Sequence, residues 1–147
     1  MKTRFLALGL AVLSATAVAS CGGSRSSAGD AAAVDRGRAA DRLRGRWLFV
    51  DYRPEQPLEP VLGTLLGAQL GRLVVTFDGR MLTAEGTGFR TQRSYEVTEA
   101  AGDAAHLVLQ DETGVRYDVQ ATFVGADLKF HAQTSPWQGT GTLRRTE

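Results

Sequence analysis

The run VRYDVQATFV, residues 115–124, alternates without a break: Val115, Tyr117, Val119, Ala121 and Phe123 on one side, Arg116, Asp118, Gln120 and Thr122 on the other. A period of two sends successive side chains to opposite faces of a strand, so one face is buried and the other wet. The same period returns in DLKFHAQ, where Leu128, Phe130 and Ala132 alternate with Lys129 and His131. RLVVTFDGRMLTAEG places two strands around Asp78 and Gly79, a pair that favours a tight hairpin turn. Further strands are expected in GRWLFVDYR (45–53), ended by Pro54 and Pro57, in RTQRSYEVTEA, in AAHLVLQD after a turn at 101–103, and in GTGTLRR after Ser135 and Pro136. Eight antiparallel strands over about a hundred residues make one modest core in a single domain. Such strands form either a sandwich or an up-and-down barrel. The barrel is the expected fold, because closure removes the edges that a sheet without disulfides must otherwise protect.

One segment breaks the pattern. EPVLGTLLGAQLGR, residues 59–72, has no charge between its ends and carries glycine at 63, 67 and 71. Proline at 60 beside an acid is a helix start signal, and Gly71 followed by Arg72 is a stop. At 100° per residue Val61, Leu62, Leu65, Leu66, Ala68 and Leu70 share one broad arc, with the glycines on its flank. A short helix is therefore expected between strands one and two. Its glycines cost roughly 1 kcal/mol each relative to alanine, so packing must hold it. It is too short to cross a bilayer.

The beginning of the chain has a different character. Lys2 and Arg4 precede an uncharged run from Phe5 to Val18, the layout of a secretory signal peptide over residues 1–20. VASC, ending at the only cysteine, resembles the lipobox of bacterial lipoproteins, which implies cleavage before Cys21 and acylation of its thiol. Gly22, by the same resemblance, points to the outer membrane of a Gram-negative cell envelope. No cysteine then remains for a disulfide, even in an oxidising compartment. Residues 21–41 lack large apolar side chains except Val34, so they read as a lipidated flexible tether reaching roughly 25 Å, followed by the domain at 42–147. Removal of Lys2 and Arg4 leaves 15 basic against 16 acidic residues, a balance that implies no nucleic-acid partner.

Gly45 and Trp47 in LRGRWLF, FDG at 77–79, YEV at 95–97, GADLKF and the closing GTLRR together resemble bacterial lipocalin-like lipoproteins of the calycin group. The T-D-x-x-Y motif of well-characterised lipocalins is not present. In lipocalins the G-x-W tryptophan closes one end of the barrel under an arginine from the last strand. The resemblance thus implies that Arg144 or Arg145 lies over Trp47. Fatty-acid binding proteins, also calycins, place helices over the cavity entrance between strands one and two, which makes Val61, Leu62, Leu65 and Leu66 the candidate lid here.

Catalytic signatures are missing: there is no H-E-x-x-H, G-x-S-x-G or phosphate-binding glycine loop. His106 and His131 read as strand surface residues, and Asp111 and Glu112 as solvated turn residues. Asp51 is a candidate inward charge that would need Arg53 or Arg90 as a partner. The expectation is a non-enzymatic protein with no metal or cofactor. Two functions remain open. The barrel either holds a small apolar ligand beneath the helix, or is filled and acts as an envelope adaptor or hydrolase inhibitor. In the second case Trp137 in QTSPWQG would be an exposed anchor.

Overall fold

The computed structural model describes residues 26–146; the expected signal peptide and Cys21 lie outside the described residues. The elements are α1 (Ser26–Leu43), β1 (Gly45–Pro54), α2 (Pro60–Gln69), β2 (Val74–Phe77), β3 (Met81–Gly86), β4 (Phe89–Ala101), β5 (Ala104–Gln110), β6 (Arg116–Val124), β7 (Asp127–Ala132) and β8 (Gly139–Arg145). Each strand pairs antiparallel with the next, and β8 pairs with β1, so the sheet is a closed eight-stranded up-and-down barrel. Alternation places Val119, Ala121 and Phe123 of β6 and Leu128 of β7 in the core, with Gln120, Thr122 and Lys129 outside. The Asp78–Gly79 turn forms as expected: Asp78 Oδ1 accepts from the amides of Arg80 and Met81, and Gly79 has φ of +105°, a region natural to glycine.

The tether expected over residues 21–41 is corrected from Ser26 onward, where the chain is an 18-residue helix. Its alanines and arginines favour a helix locally. Tertiary contacts hold its last turn, where Ala39 and Leu43, four residues apart, are buried, Leu43 completely. The Arg42 guanidinium lies 4.0 Å over the Phe123 ring and pairs with Asp103 at 2.7 Å. The compositional argument stopped at residue 41 and so left out Leu43, the buried side chain that anchors the end of the helix.

Trp47 seals the same end of the barrel. It is 2% exposed, its indole N–H donates to the Leu43 carbonyl at 2.8 Å, and the Arg145 guanidinium covers its ring at 4.7 Å. Arg145 also donates to the Arg42 carbonyl, so one side chain ties β8 to both Trp47 and α1. Such a cation–π contact contributes about 0.5 to 2 kcal/mol. Of the two arginines proposed for this role, Arg144 is on the outer face, where it pairs with Asp127 at 2.9 Å.

Further along β1 a bulge lies between Phe49 and Asp51. The extra residue shifts the inward register, so Tyr52 packs on the core and Asp51 is exposed. The inward charge considered for Asp51 is therefore corrected. Phe49, Tyr52 and Phe130 gather with ring centroids 6.1 to 6.3 Å apart and fill one side of the interior. Between β1 and β7, β8 carries glycine: a Cβ on Gly141 would lie 2.5 Å from the Phe130 ring, and one on Gly139 2.5 Å from the Arg53 carbonyl oxygen.

Leu43→Ala is expected to lower the unfolding free energy by about 2–5 kcal/mol in urea denaturation. The same change at Val34, exposed on α1, should stay within about 0.5 kcal/mol. Equal effects would show that α1 does not dock as described.

Candidate functional site

The strand registers give the barrel two unlike ends. α1, Trp47 and the 78–80 and 125–126 turns lie at the sealed end, and α2 and the β3–β4, β5–β6 and β7–β8 connections lie at the other. Beneath α2 the interior is hollow, with a cavity of about 650 Å³. Leu62, Leu65 and Leu66 of α2 form its roof, and Leu82, Ala84, Leu109 and Val119 line it from the strands. Phe89 and Trp137 stand in its wall near the mouth. A volume of several hundred Å³ with mostly apolar walls suits a small ligand. A second hollow, of about 450 Å³, lies among Asp51, Arg53, Lys129 and His131 on the polar outer side of β1, β7 and β8.

The roof is loosely held. No residue of α2 is buried, and its apolar arc is divided between cavity and solvent. Of the expected lid residues, Leu62, Leu65 and Leu66 line the cavity; Leu65 also remains 56% exposed. Val61 is corrected: it is 69% exposed and does not line the cavity, because the helix rests on a narrower stripe than its full apolar arc. A Cβ at Gly63 or Gly67 would meet nothing within 4 Å, so packing does not require either glycine.

One end of α2 is latched. The Gln69 amide donates to the Thr87 carbonyl at 3.3 Å and accepts from the Thr87 N–H at 3.2 Å, tying the helix to the β3–β4 connection. Gly86 makes the approach possible, since a Cβ there would overlap the Gln69 side chain. Gly71, with φ of +71°, then turns the chain into β2, its N–H donating to the Phe49 carbonyl at 2.7 Å. Backbone bonds and the latch thus concentrate at the C-terminal end of α2. At the other end Glu59 makes no side-chain cap.

Inside the wall three polar side chains from different elements meet. Arg93 of β4 lies 4.7 Å over the Tyr117 ring of β6 and 3.4 Å from Asp111, which begins the β5–β6 turn. Asp111 is more than the solvated turn residue expected. Its Oδ1 accepts from the Thr113 hydroxyl and from the amides of Thr113 and Val115, and its Oδ2 accepts from the Tyr117 hydroxyl. The Thr113 hydroxyl bond leads in lowering the carboxyl to about 2, helped by the Tyr117 hydroxyl and the two amides against opposing desolvation. Sequence reasoning passed over Arg93. The available signal was its place in the inward register of β4, with Thr91, Tyr95 and Val97.

Trp137, expected as an exposed anchor, is corrected to a half-buried position in the cavity wall, where its carbonyl accepts from the Tyr52 hydroxyl at 2.8 Å. The histidines sit apart from the cavity lining. His131 Nε2 lies 2.6 Å from Glu55, while His106 Nδ1 is 2.8 Å from the Thr98 hydroxyl. Comparison with protein-family models, curated proteins and solved structures finds no match to this chain.

Because the Asp111 carboxyl is lowered on folding, its contribution to stability is present above about pH 4 and is lost as pH falls toward 2. Asp111→Asn is expected to melt below the wild type at neutral pH, and the gap should close across that acid window in a series of thermal melts. A gap that is constant with pH would remove this assignment.

Proposed function

We propose that this chain is a lipocalin-like lipoprotein, anchored in the cell envelope through lipid on Cys21, whose barrel binds a small apolar ligand beneath α2. The observation that carries the reading is the cavity of about 650 Å³ under a roof of which no residue is buried. A helix serving only as a plug would bury its leucines. Here Leu62 and Leu66 are half-buried over empty volume, and the roof carries two glycines that packing does not need. The closure of Trp47 by Arg145 supports the lipocalin-like part of the reading. The lipobox resemblance at Val18–Cys21 supports the anchor, and Gly22 the outer membrane. The alternative of a filled interaction module rested on an exposed Trp137, and its place in the cavity wall favours the ligand reading.

In this reading α2 is a movable cover hinged toward its latched C-terminal end. The apolar ligand passes the free end, near Pro60, when the helix lifts. Replacing Gly63 and Gly67 together by alanine should stabilise α2 by about 1 kcal/mol per site. Stopped-flow ligand exchange should be slower in that double variant; unchanged rates would argue for a fixed roof.

The central test uses the lipid-free body, residues 26–147, purified without detergent. N-phenyl-1-naphthylamine, an uncharged apolar fluorophore, should brighten on binding it, and Leu109→Trp, which fills the cavity with an indole, should abolish the response while retaining a cooperative melt. A body that gives no fluorescence increase, or whose Leu109→Trp variant binds as well as the wild type, would defeat the proposal. The same purified body should carry a lipid-sized species in native mass spectrometry.

A further inference from the structure

We propose that the polar hollow on the outer face of β1, β7 and β8 is a second binding site and that it takes a phosphorylated sugar. It shares no lining residue with the cavity under α2, so the inference stands apart from the ligand proposed there. Two rungs of the sheet build it. In one, Asp51 of β1, Thr142 of β8 and Lys129 of β7 lie side by side; in the next, Arg53, Thr140 and His131 do. Short threonines on the middle strand, with longer side chains on both flanks, make a trough of about 450 Å³ that is two strand spacings, roughly 10 Å, across. That volume lies in the range of small-molecule sites.

The bulge in β1 is what puts charge there. Trp47 and Phe49 belong to the core, and an unbroken strand would send residues 51 and 53 inward with them. The bulge between Phe49 and Asp51 reverses that phase, so Asp51 and Arg53 stand exposed and in step with Thr142 and Thr140. Bulges recur where a strand re-aims a side chain beside a site.

The fold does not use the cations of the trough. Asp51, Arg53 and Lys129 take part in no ion pair among the described residues, whereas His131 beside them is held by Glu55 at 2.6 Å and Arg144 by Asp127 at 2.9 Å. Lys129 is also the only lysine after Lys2, and its compact ammonium carries three rotatable donors. It stands diagonally across the threonines from the planar fork of Arg53. Two cations over one floor suit a phosphoryl group, whose oxygens accept from both at once. A bare anion would leave most of the trough to water. The hydroxyls of Thr122, Thr140 and Thr142, the Gln120 amide and the Asp51 carboxylate intersperse donors with acceptors over the remainder, a pattern that matches the hydroxyls of a sugar ring. An apolar chain finds no face here, and a polyanion would meet Asp51 and Glu55 beside the two cations.

Titration of the isotope-labelled, lipid-free body with glucose 6-phosphate at pH 8 and low salt, followed by amide chemical shifts, tests this. The shifts should map to residues 51–53, 129–131 and 140–142, and the affinity should exceed those for glucose and for inorganic phosphate by about tenfold. Lys129→Gln and Arg53→Gln, both at exposed positions, should each weaken glucose 6-phosphate about tenfold and leave the thermal melt nearly unchanged. Arg80→Gln, an exposed arginine outside the trough, should bind as the wild type does. An affinity no higher than that for inorganic phosphate, or no higher than that for glucose, would overturn the inference. Equal weakening by Arg80→Gln would reduce the effect to unspecific charge and overturn it too. Displacement of N-phenyl-1-naphthylamine by the sugar would put it in the cavity and defeat the second site, whereas failure of that fluorophore to bind at all removes the cavity reading and leaves this one standing.

Discussion

Hydrogen bonding of β8 to β1 is the contact on which the rest of the molecule depends. The described barrel contains no cysteine, so no covalent cross-link holds the sheet in a ring. Closure satisfies the backbone of both end strands and leaves no edge for another chain to extend. It also sets demands on sequence at the seam. β1 bulges after Phe49 to follow the curve, and β8 presents glycine at 139 and 141, where the β1 backbone and the Phe130 ring leave no space for a Cβ. Arg145 then completes the seam by lying over Trp47 and reaching the carbonyl of Arg42.

From that ring follow two ends with different physical tasks. At one, Leu43, Trp47 and Phe123 are buried, and α1 is drawn onto them by its last turn. This end contributes stability. At the other, an uncharged helix with no buried residue spans a hollow interior and is held chiefly where Gln69 grips Thr87. Local stability is uneven in proteins, and elements with few buried contacts open most readily. The division places the buried core at the sealed end and the least buried element over the hollow.

The strands, the turns between them and α2 were legible in the sequence because each follows from local chemistry. Period-two alternation marked β6 and β7, Asp78–Gly79 marked a hairpin, and Pro60 with Gly71 bracketed a helix. Three features were less legible. α1 depended on Leu43 finding the base of a barrel formed by residues far along the chain. Val61 and Leu65 belong to the same helical arc as Leu62 and Leu66, but the arc is wider than the surface beneath it, so Val61 was left to solvent. Trp137 stands in a cavity wall because the β7–β8 connection folds across the mouth, a path its own residues do not encode.

By itself the sequence determined an eight-stranded antiparallel body with one uncharged helix after the first strand, since hydrophobic period, turn residues and helix caps act over a few neighbours at a time. The resemblance carried by Gly45 and Trp47 implied one of two adjacent arginines as the partner of Trp47. Only the tertiary structure chose Arg145, because the strand alternation that turns 145 toward the ring sends 144 outward to Asp127. Only the closed ring, likewise, brought Arg93, Asp111 and Tyr117 together from β4, a turn and β6, and left a hollow beside them. Whether an interior is filled depends on the summed volumes of side chains converging from eight strands, a quantity that no single strand carries.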